Sequence, residues 1–238
     1  MSNLSERISE TLKQAILAQR LYPGTKLGER ELAEIFDVSR IVIRQALIRL
    51  ANEGLVTIER NRGAFVTRPS LQEALEIYDT LTLLEQGVAM QLAERLDASG
   101  WQKLRDHIAL QAEAVERNDH KAADELGQGF HTLFISLAGN RLLQDMHAQI
   151  VQRTFLLRSL YTSRFDYCNL LNEHTKIVNL LERGRVKQAM ELIDAHHRHV
   201  VRGYVLDTSS YTQMSLKEAI KPDLEQEDTA PAAAAAET

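Results

Sequence analysis

The stretch PGTKLGERELAEIFDVSRIVIRQALIRLANEGLVTIERNRGAFVTRP, residues 23–69, decides the fold. A short helix is predicted over 29–36, where Leu32, Ala33, Ile35 and Phe36 form an apolar side. Asp37-Val38-Ser39 breaks it, and Ser39 is placed to cap the next helix, 40–53, which stops at Gly54. Two β-type runs follow, Leu55–Glu59 and Ala64–Thr67, joined by the turn Arg60-Asn61-Arg62-Gly63. Upstream, Leu4, Ile8, Leu12, Ala15 and Ile16 recur at helical spacing over 4–19, and Tyr22-Pro23-Gly24 turns the chain. Helix, turn, helix, then β-hairpin is the plan of a winged helix-turn-helix. Arg68-Pro69-Ser70 reads as a linker.

From residue 71 the pattern changes. Helical stripes cover about 71–97, 101–117, 120–138, 141–164, 167–183 and 186–206, with little Gly or Pro and no strand alternation. Short connections between six such helices imply antiparallel packing around a shared core. The expected fold is therefore mainly α: an N-terminal winged helix-turn-helix, residues 1–69, followed by an antiparallel six- to seven-helix bundle, 71–207. Residues 208–238 lose the stripe and end in DTAPAAAAAET, which reads as a disordered tail.

The net charge of −5 is unevenly spread. Residues 1–70 hold 11 Lys+Arg against 8 Asp+Glu, a net +3, and the remainder carries −8. Phosphate contact needs local positive charge, not a basic whole. No run approaches the roughly 20 apolar residues of a membrane span. The start lacks a secretory signal, and the single Cys168 allows no internal disulfide, so a cytoplasmic location is expected.

In a winged helix the second helix of the motif enters the major groove with its leading residues toward base edges. Here Ser39, Arg40 and Arg44 occupy that end, and the two arginines, four apart, share a face. Arginine holds guanine O6 and N7 with two hydrogen bonds or grips phosphate. Arg62 at the wing tip can reach the adjacent backbone or minor groove, Gly63 permits the tight turn, and Arg30 can meet phosphate. A winged helix also serves as a protein-binding module, and arginines often form only a solvated face. The quoted run, taken with residues 4–22, resembles the N-terminal domain of GntR-family transcriptional regulators. The resemblance implies DNA contacts from Arg30, Ser39, Arg40, Arg44 and Gly63. Where the common family form continues Thr-Pro-Val-Arg, this chain has Ile41-Val42-Ile43-Arg44, which puts an apolar side chain where a hydroxyl is usual.

All eight histidines follow residue 100. His131 borders the apolar stripe of helix 120–138, while His174 and His196 lie within the stripes of 167–183 and 186–206. Three imidazoles from three helices can converge in one cavity and suit Zn, Ni, Fe or Cu. A histidine on an apolar stripe is more often a hydrogen-bonded core residue. LLEQGVAMQLAERL, GQGFHTLFISLAGNRLL and EHTKIVNLLERGRVKQAMELIDAHHRHV are similar to the ligand-sensing (FCD-type) domain of the FadR-like branch of the same family. That resemblance implies a divalent transition metal such as Zn on His131, His174 and His196. It also implies an aspartate four residues before His131, where this chain has Gly127, and often an arginine four before Glu85, where it has Leu81. A small-molecule effector, an organic acid, is implied in the same pocket, met by these three histidines; a nearby arginine can clamp its other end, for which Arg158 on helix 141–164 is the candidate, although it also reads as a surface arginine. Glu173, next to His174, points about 100° from it on a helix, leaving no evident general base. The reading is a homodimeric repressor, not an enzyme, that binds double-stranded DNA at a palindromic operator under metabolite control. Its alternative is a helical-bundle metalloenzyme with a DNA-targeting head.

Overall fold

The computed structural model describes residues 4–163, 165–206 and 214–229. They divide into two compact units. The first joins the N-terminal 69 residues to 155–161 and to the chain from Leu206 onward; the second comprises 70–154 and 162–205.

In the first unit, α1 (Leu4–Leu17), α2 (Glu29–Ile35) and α3 (Arg40–Asn52) surround one core. Ile8, Leu12, Ala15 and Ile16 of α1, spaced by three and four residues, cluster with Leu32 of α2 and with Ile43, Ala46, Leu47 and Leu50 of α3. The strands are β1 (Lys26–Leu27), β2 (Val56–Glu59) and β3 (Gly63–Val66), in the order β1-β3-β2. Both pairings are antiparallel, with Ile58 opposite Ala64 and Lys26 opposite Phe65. The sequence predicts the β2–β3 hairpin but not β1. Asn61 and Gly63 take φ of 61° and 103°, the left-handed backbone that closes the hairpin.

The expected disordered tail is corrected over 216–229, which form α10 (Leu216–Thr229); residues 208–213 and 230–238 lie outside the described residues. Ser215 and Glu218 cap α10 reciprocally, each backbone N–H donating to the other's side chain at 3.0 and 3.3 Å. Leu216, Ala219 and Ile220, spaced by three and four, are buried in the same core as α1 and α3. The Arg20 Nε–H donates to the Ala219 carbonyl at 2.8 Å, and its guanidinium also pairs with Asp223. Leu156, near the end of α7, joins this core as well.

The second unit contains α4 (Leu71–Arg95), α5 (Ala98–Glu116), α6 (His120–Ser136), most of α7 (Arg141–Leu160), α8 (Tyr167–Glu182) and α9 (Val186–Arg202). Ser70 and Glu73 form a capping box at the start of α4. Asp97, Asp119 and Asp166 each accept a backbone N–H from the first turn of α5, α6 and α8. Val88, Leu92, Leu104, Phe130, Phe134, Ile177, Leu181 and Ile193 meet in its core. A two-stranded sheet of β4 (Tyr161–Ser163) and β5 (Tyr204–Leu206) corrects the expectation of no strands after residue 71. Its three-residue strands are too short to carry an alternation. Among the described residues no helix is long and apolar enough to cross a membrane.

Candidate functional site

Two groups of side chains carry chemistry, one in each unit. In the first unit, Ser39 stands at the N-cap position of α3 but its side chain makes no capping hydrogen bond. The side chains of Arg40, Arg44 and Arg62 are 65 %, 61 % and 70 % exposed, so the leading turn of α3 and the wing tip offer their charge to solvent. Glu29, at the start of α2, organises the α3 pair. Arg44 donates to both of its carboxylate oxygens at 2.9 and 2.8 Å, and Arg40 reaches it at 3.4 Å. The Arg44 hydrogen bonds hold the Glu29 carboxyl below its ordinary range. Arg30 pairs with Glu34 one turn on, at 2.9 Å. Arg62 pairs with Glu59 and lies over the Phe65 ring, 5.4 Å from its centroid. Ile41 is 70 % exposed beside the arginines.

In the second unit the structure brings His131, His174 and His196 together. All three are buried. The Nε2 of His196 lies 3.2 Å from Nε2 of His131 and 3.3 Å from Nε2 of His174. Each ring's other nitrogen meets an acceptor. His131 Nδ1 donates to Glu85 at 3.0 Å, His174 Nδ1 to Gln111 Oε1 at 2.9 Å, and His196 Nδ1 to Glu173 at 2.8 Å. With each Nδ1 proton given to its acceptor, the neutral rings turn their Nε2 lone pairs toward one another, an arrangement that a cation would satisfy. Nitrogens about 2.0–2.1 Å from a tetrahedral zinc stand about 3.3–3.4 Å apart. The donors and their spacing therefore fit a metal ion, with the carboxylates and amide behind them orienting each ring.

The electrostatics agree. Burial, with the neighbouring imidazoles, pushes His174 well below the usual histidine range and His196 down to about 4. Both are thus neutral, as ligands must be. Burial pushes the Glu85 carboxyl up, but the His131 and His197 imidazoles beside it, when protonated, outweigh it and hold it well below its ordinary value.

Several partners escaped the sequence. His197 is buried beside His196, and one nitrogen each of His131, His196 and His197 lie within 4.8 Å of one another. His197 stands at i+4 from Ile193 on the buried face of α9, a spacing that could have flagged it. His147 of α7 is also buried; its Nε2 has no hydrogen-bond partner among the described residues and stands 3.9 Å from Glu85. Glu173, expected to point away from His174, reaches His196 on the neighbouring helix. It acts there on the ring edge opposite Nε2, as an orienting group. Arg158 falls in the first unit, with its guanidinium 5.7 Å from the Phe155 ring centroid, and the three histidines fall in the second. At Gly127 an added Cβ would meet Gln111 Nε2 at 3.3 Å.

Two clefts open on the second unit. One of about 330 Å³ is lined by Phe165, Asp166, Leu170, His199, Arg202 and Gly203. Another of about 190 Å³ includes Tyr78, Thr82, His197, Arg198 and Arg202.

A winged helix with exposed arginines on its leading turn, carried with a helical unit that holds a buried imidazole cluster, defines a DNA-binding regulator with a sensing domain. Residues 4–66 match the bacterial regulatory proteins of the gntR family and residues 76–199 match the FCD domain, and the chain belongs to this family of transcriptional regulators. It is 29 % identical over 184 residues to the HTH-type transcriptional repressor RspR of Escherichia coli (strain K12), covering 76 % of this chain and 79 % of that one. Over 71 residues, 29 % of each chain, it is 45 % identical to the HTH-type transcriptional repressor NagR of Bacillus subtilis (strain 168). A putative GntR regulator from Rhodococcus sp. RHA1 shares the fold, with a TM-score of 0.67 at 23 % identity over 83 % of this chain and 95 % of that one. The metalloenzyme alternative is not favoured: the relatives are named as transcriptional regulators.

Proposed function

We propose that the protein is a repressor that binds a palindromic operator as a homodimer and responds to a small organic acid. The observation that carries the DNA-binding part is the exposed Arg40/Arg44 pair, held by Glu29 on the leading turn of α3. Both guanidiniums can turn from one carboxylate to base edges or phosphates without unfolding anything. Arg62 and Gly63 form the wing tip that follows the groove, and Arg30 and Ser39 approach the backbone beside it. Two-fold symmetry calls for two related half-sites.

For the sensor, His131, His174 and His196 hold a divalent transition metal such as Zn. Bound there, the ion supplies a fixed positive charge tying α6, α8 and α9 together. Arg202 lines both clefts and is the cation that meets the effector's carboxylate, the role expected of Arg158 from the sequence. Thr82 and His197 line the smaller cleft and belong also to the hydrogen-bond network around Glu85, so cleft and histidine cluster share side chains. An acid shifts operator affinity only as far as it prefers one state of the protein.

Footprinting on the DNA upstream of the protein's own gene tests the reading. Protection of two symmetric half-sites that Arg44→Ala removes supports it; equal protection by both proteins overturns it. A thermal-shift screen of small carboxylic acids then identifies the effector class.

A further inference from the structure

The larger cleft of the second unit carries charges of both signs that do not meet. Asp166 and Arg202 both line it, and among the described residues no ion pair joins them. Arg202, in the last turn of α9, has no hydrogen-bond or ion-pair partner among those residues at all. Asp166 accepts the Asn169 N–H at 3.0 Å through one oxygen, as the cap of α8, and its other oxygen is left without a partner there. One turn earlier on α9, by contrast, Arg198 pairs with Asp194 at 2.7 Å. A guanidinium and a carboxylate that share a cleft but stay apart can both be met by one ligand with two opposite charges.

The apolar wall of this cleft is fixed in place. The Phe165 ring stands edge-on to Tyr167 and Tyr204, with centroids 6.1 and 5.6 Å away. It also covers Gly203 so closely that an added Cβ would lie 2.7 Å from it, so glycine at 203 makes room for the ring. Leu170 adds aliphatic surface. His199 lines the cleft too, and Glu173 links it to the histidine cluster. One Glu173 oxygen lies 3.2 Å from His199 Nδ1 and the other 2.8 Å from His196 Nδ1. A single carboxylate thus separates the cleft from His196.

We propose that the larger cleft binds a zwitterionic amino acid with an apolar side chain. Arg202 takes its carboxylate, Asp166 its ammonium group, and Phe165 with Leu170 its side chain. This rests on the reading above that Arg202 receives the effector's carboxylate, and it narrows the organic acid to one that carries an amino group. A plain carboxylate satisfies Arg202 and leaves Asp166 unmet; a plain amine does the reverse. The volume of about 330 Å³ stands at the small end of ligand clefts, which suits one amino acid rather than a peptide.

The test is calorimetric titration of the full chain with L-valine, L-leucine, L-methionine and L-phenylalanine, each beside its des-amino carboxylate and its decarboxylated amine. At least one amino acid should bind the wild type at least about tenfold more tightly than either analogue, as expected for a lost charged hydrogen bond. Asp166→Asn keeps a good cap for α8. It should weaken the amino acid by a similar factor and leave the des-amino carboxylate unchanged. Because Asp166 lines only the larger cleft, that effect also locates the ligand there. Arg202→Gln should weaken both compounds. A des-amino carboxylate that binds as tightly as its amino acid overturns the proposal while the organic-acid reading stands. Binding of neither kind, or binding that Arg202→Gln leaves unchanged, overturns both. The wild-type comparison decides even if the variants fail to fold.

Discussion

Replacing Ile220 by alanine probes whether α10 is a working part of the winged-helix unit. The side chain is 0 % exposed and belongs to the core shared by α1 and α3. Three carbons are lost, worth about 0.8 kcal/mol each in transfer from water. The cavity left between helices adds to that, bringing the cost to about 3–4 kcal/mol, inside the usual range of about 2–5 kcal/mol for such truncations. For a unit of this size that lowers the melting temperature by more than roughly 12 °C. Lys217→Ala on the exposed side of the same helix is the control and should change stability by less than about 0.5 kcal/mol. The readout must separate the two units. Amide hydrogen exchange at Leu47 and Leu50 reports the α3 core, while the single tryptophan, Trp101, sits in the core of the helical unit and reports it by fluorescence. Ile220→Ala should speed exchange at Leu47 and Leu50 by at least a hundredfold and leave Trp101 emission in place. Exchange equal to that of Lys217→Ala would refute the packing of α10 on this core.

Arg40→Ala and Arg44→Ala should each weaken specific operator binding roughly tenfold to a hundredfold in gel-shift titrations, with unchanged unfolding curves. His174→Ala should abolish retention of a transition metal by elemental analysis, and chelation should lower the wild-type melting temperature. In metal-free protein His196 titrates at about 4, against an ordinary 6.5. The folded state then refuses a proton that the unfolded chain takes up below pH 6.5. Stability is therefore full above pH 6.5 and falls as pH drops toward 4, by about 3 kcal/mol from this residue alone, measurable in urea titrations across that window. Sedimentation at micromolar concentration should give twice the chain mass, and a monomer there would contradict a two-fold symmetric complex with DNA.

The winged helix was legible because its elements are local. The apolar residues of α1, α2 and α3, the Ser39 break and the Asn61–Gly63 turn all signal within a few residues. The triad was legible by period, since His174 and His196 fall on apolar stripes. Its supporting groups were not. Glu85, Gln111 and Glu173 meet histidines that are 46, 63 and 23 residues away in sequence, and no local pattern encodes a hydrogen bond between helices. The stripe of α7 gives no sign of where that helix, which carries Arg158, passes from one unit to the other. Helix α10 was lost to its composition. Pro222 interrupts it, its apolar positions are few, and the alanine-rich run beyond Thr229 makes the whole segment read as tail.

Arg20 and Asp223 are 203 residues apart in sequence and joined in one ion pair. At a synthesis rate of about 5–20 residues per second, roughly 10–40 s separate their emergence from the ribosome. Throughout that interval the apolar faces of α1 and α3 exist without Leu216, Ala219 and Ile220 over them. A nascent chain thus carries the arginines of α3 on a core that is completed only after the helices of the second unit have been made.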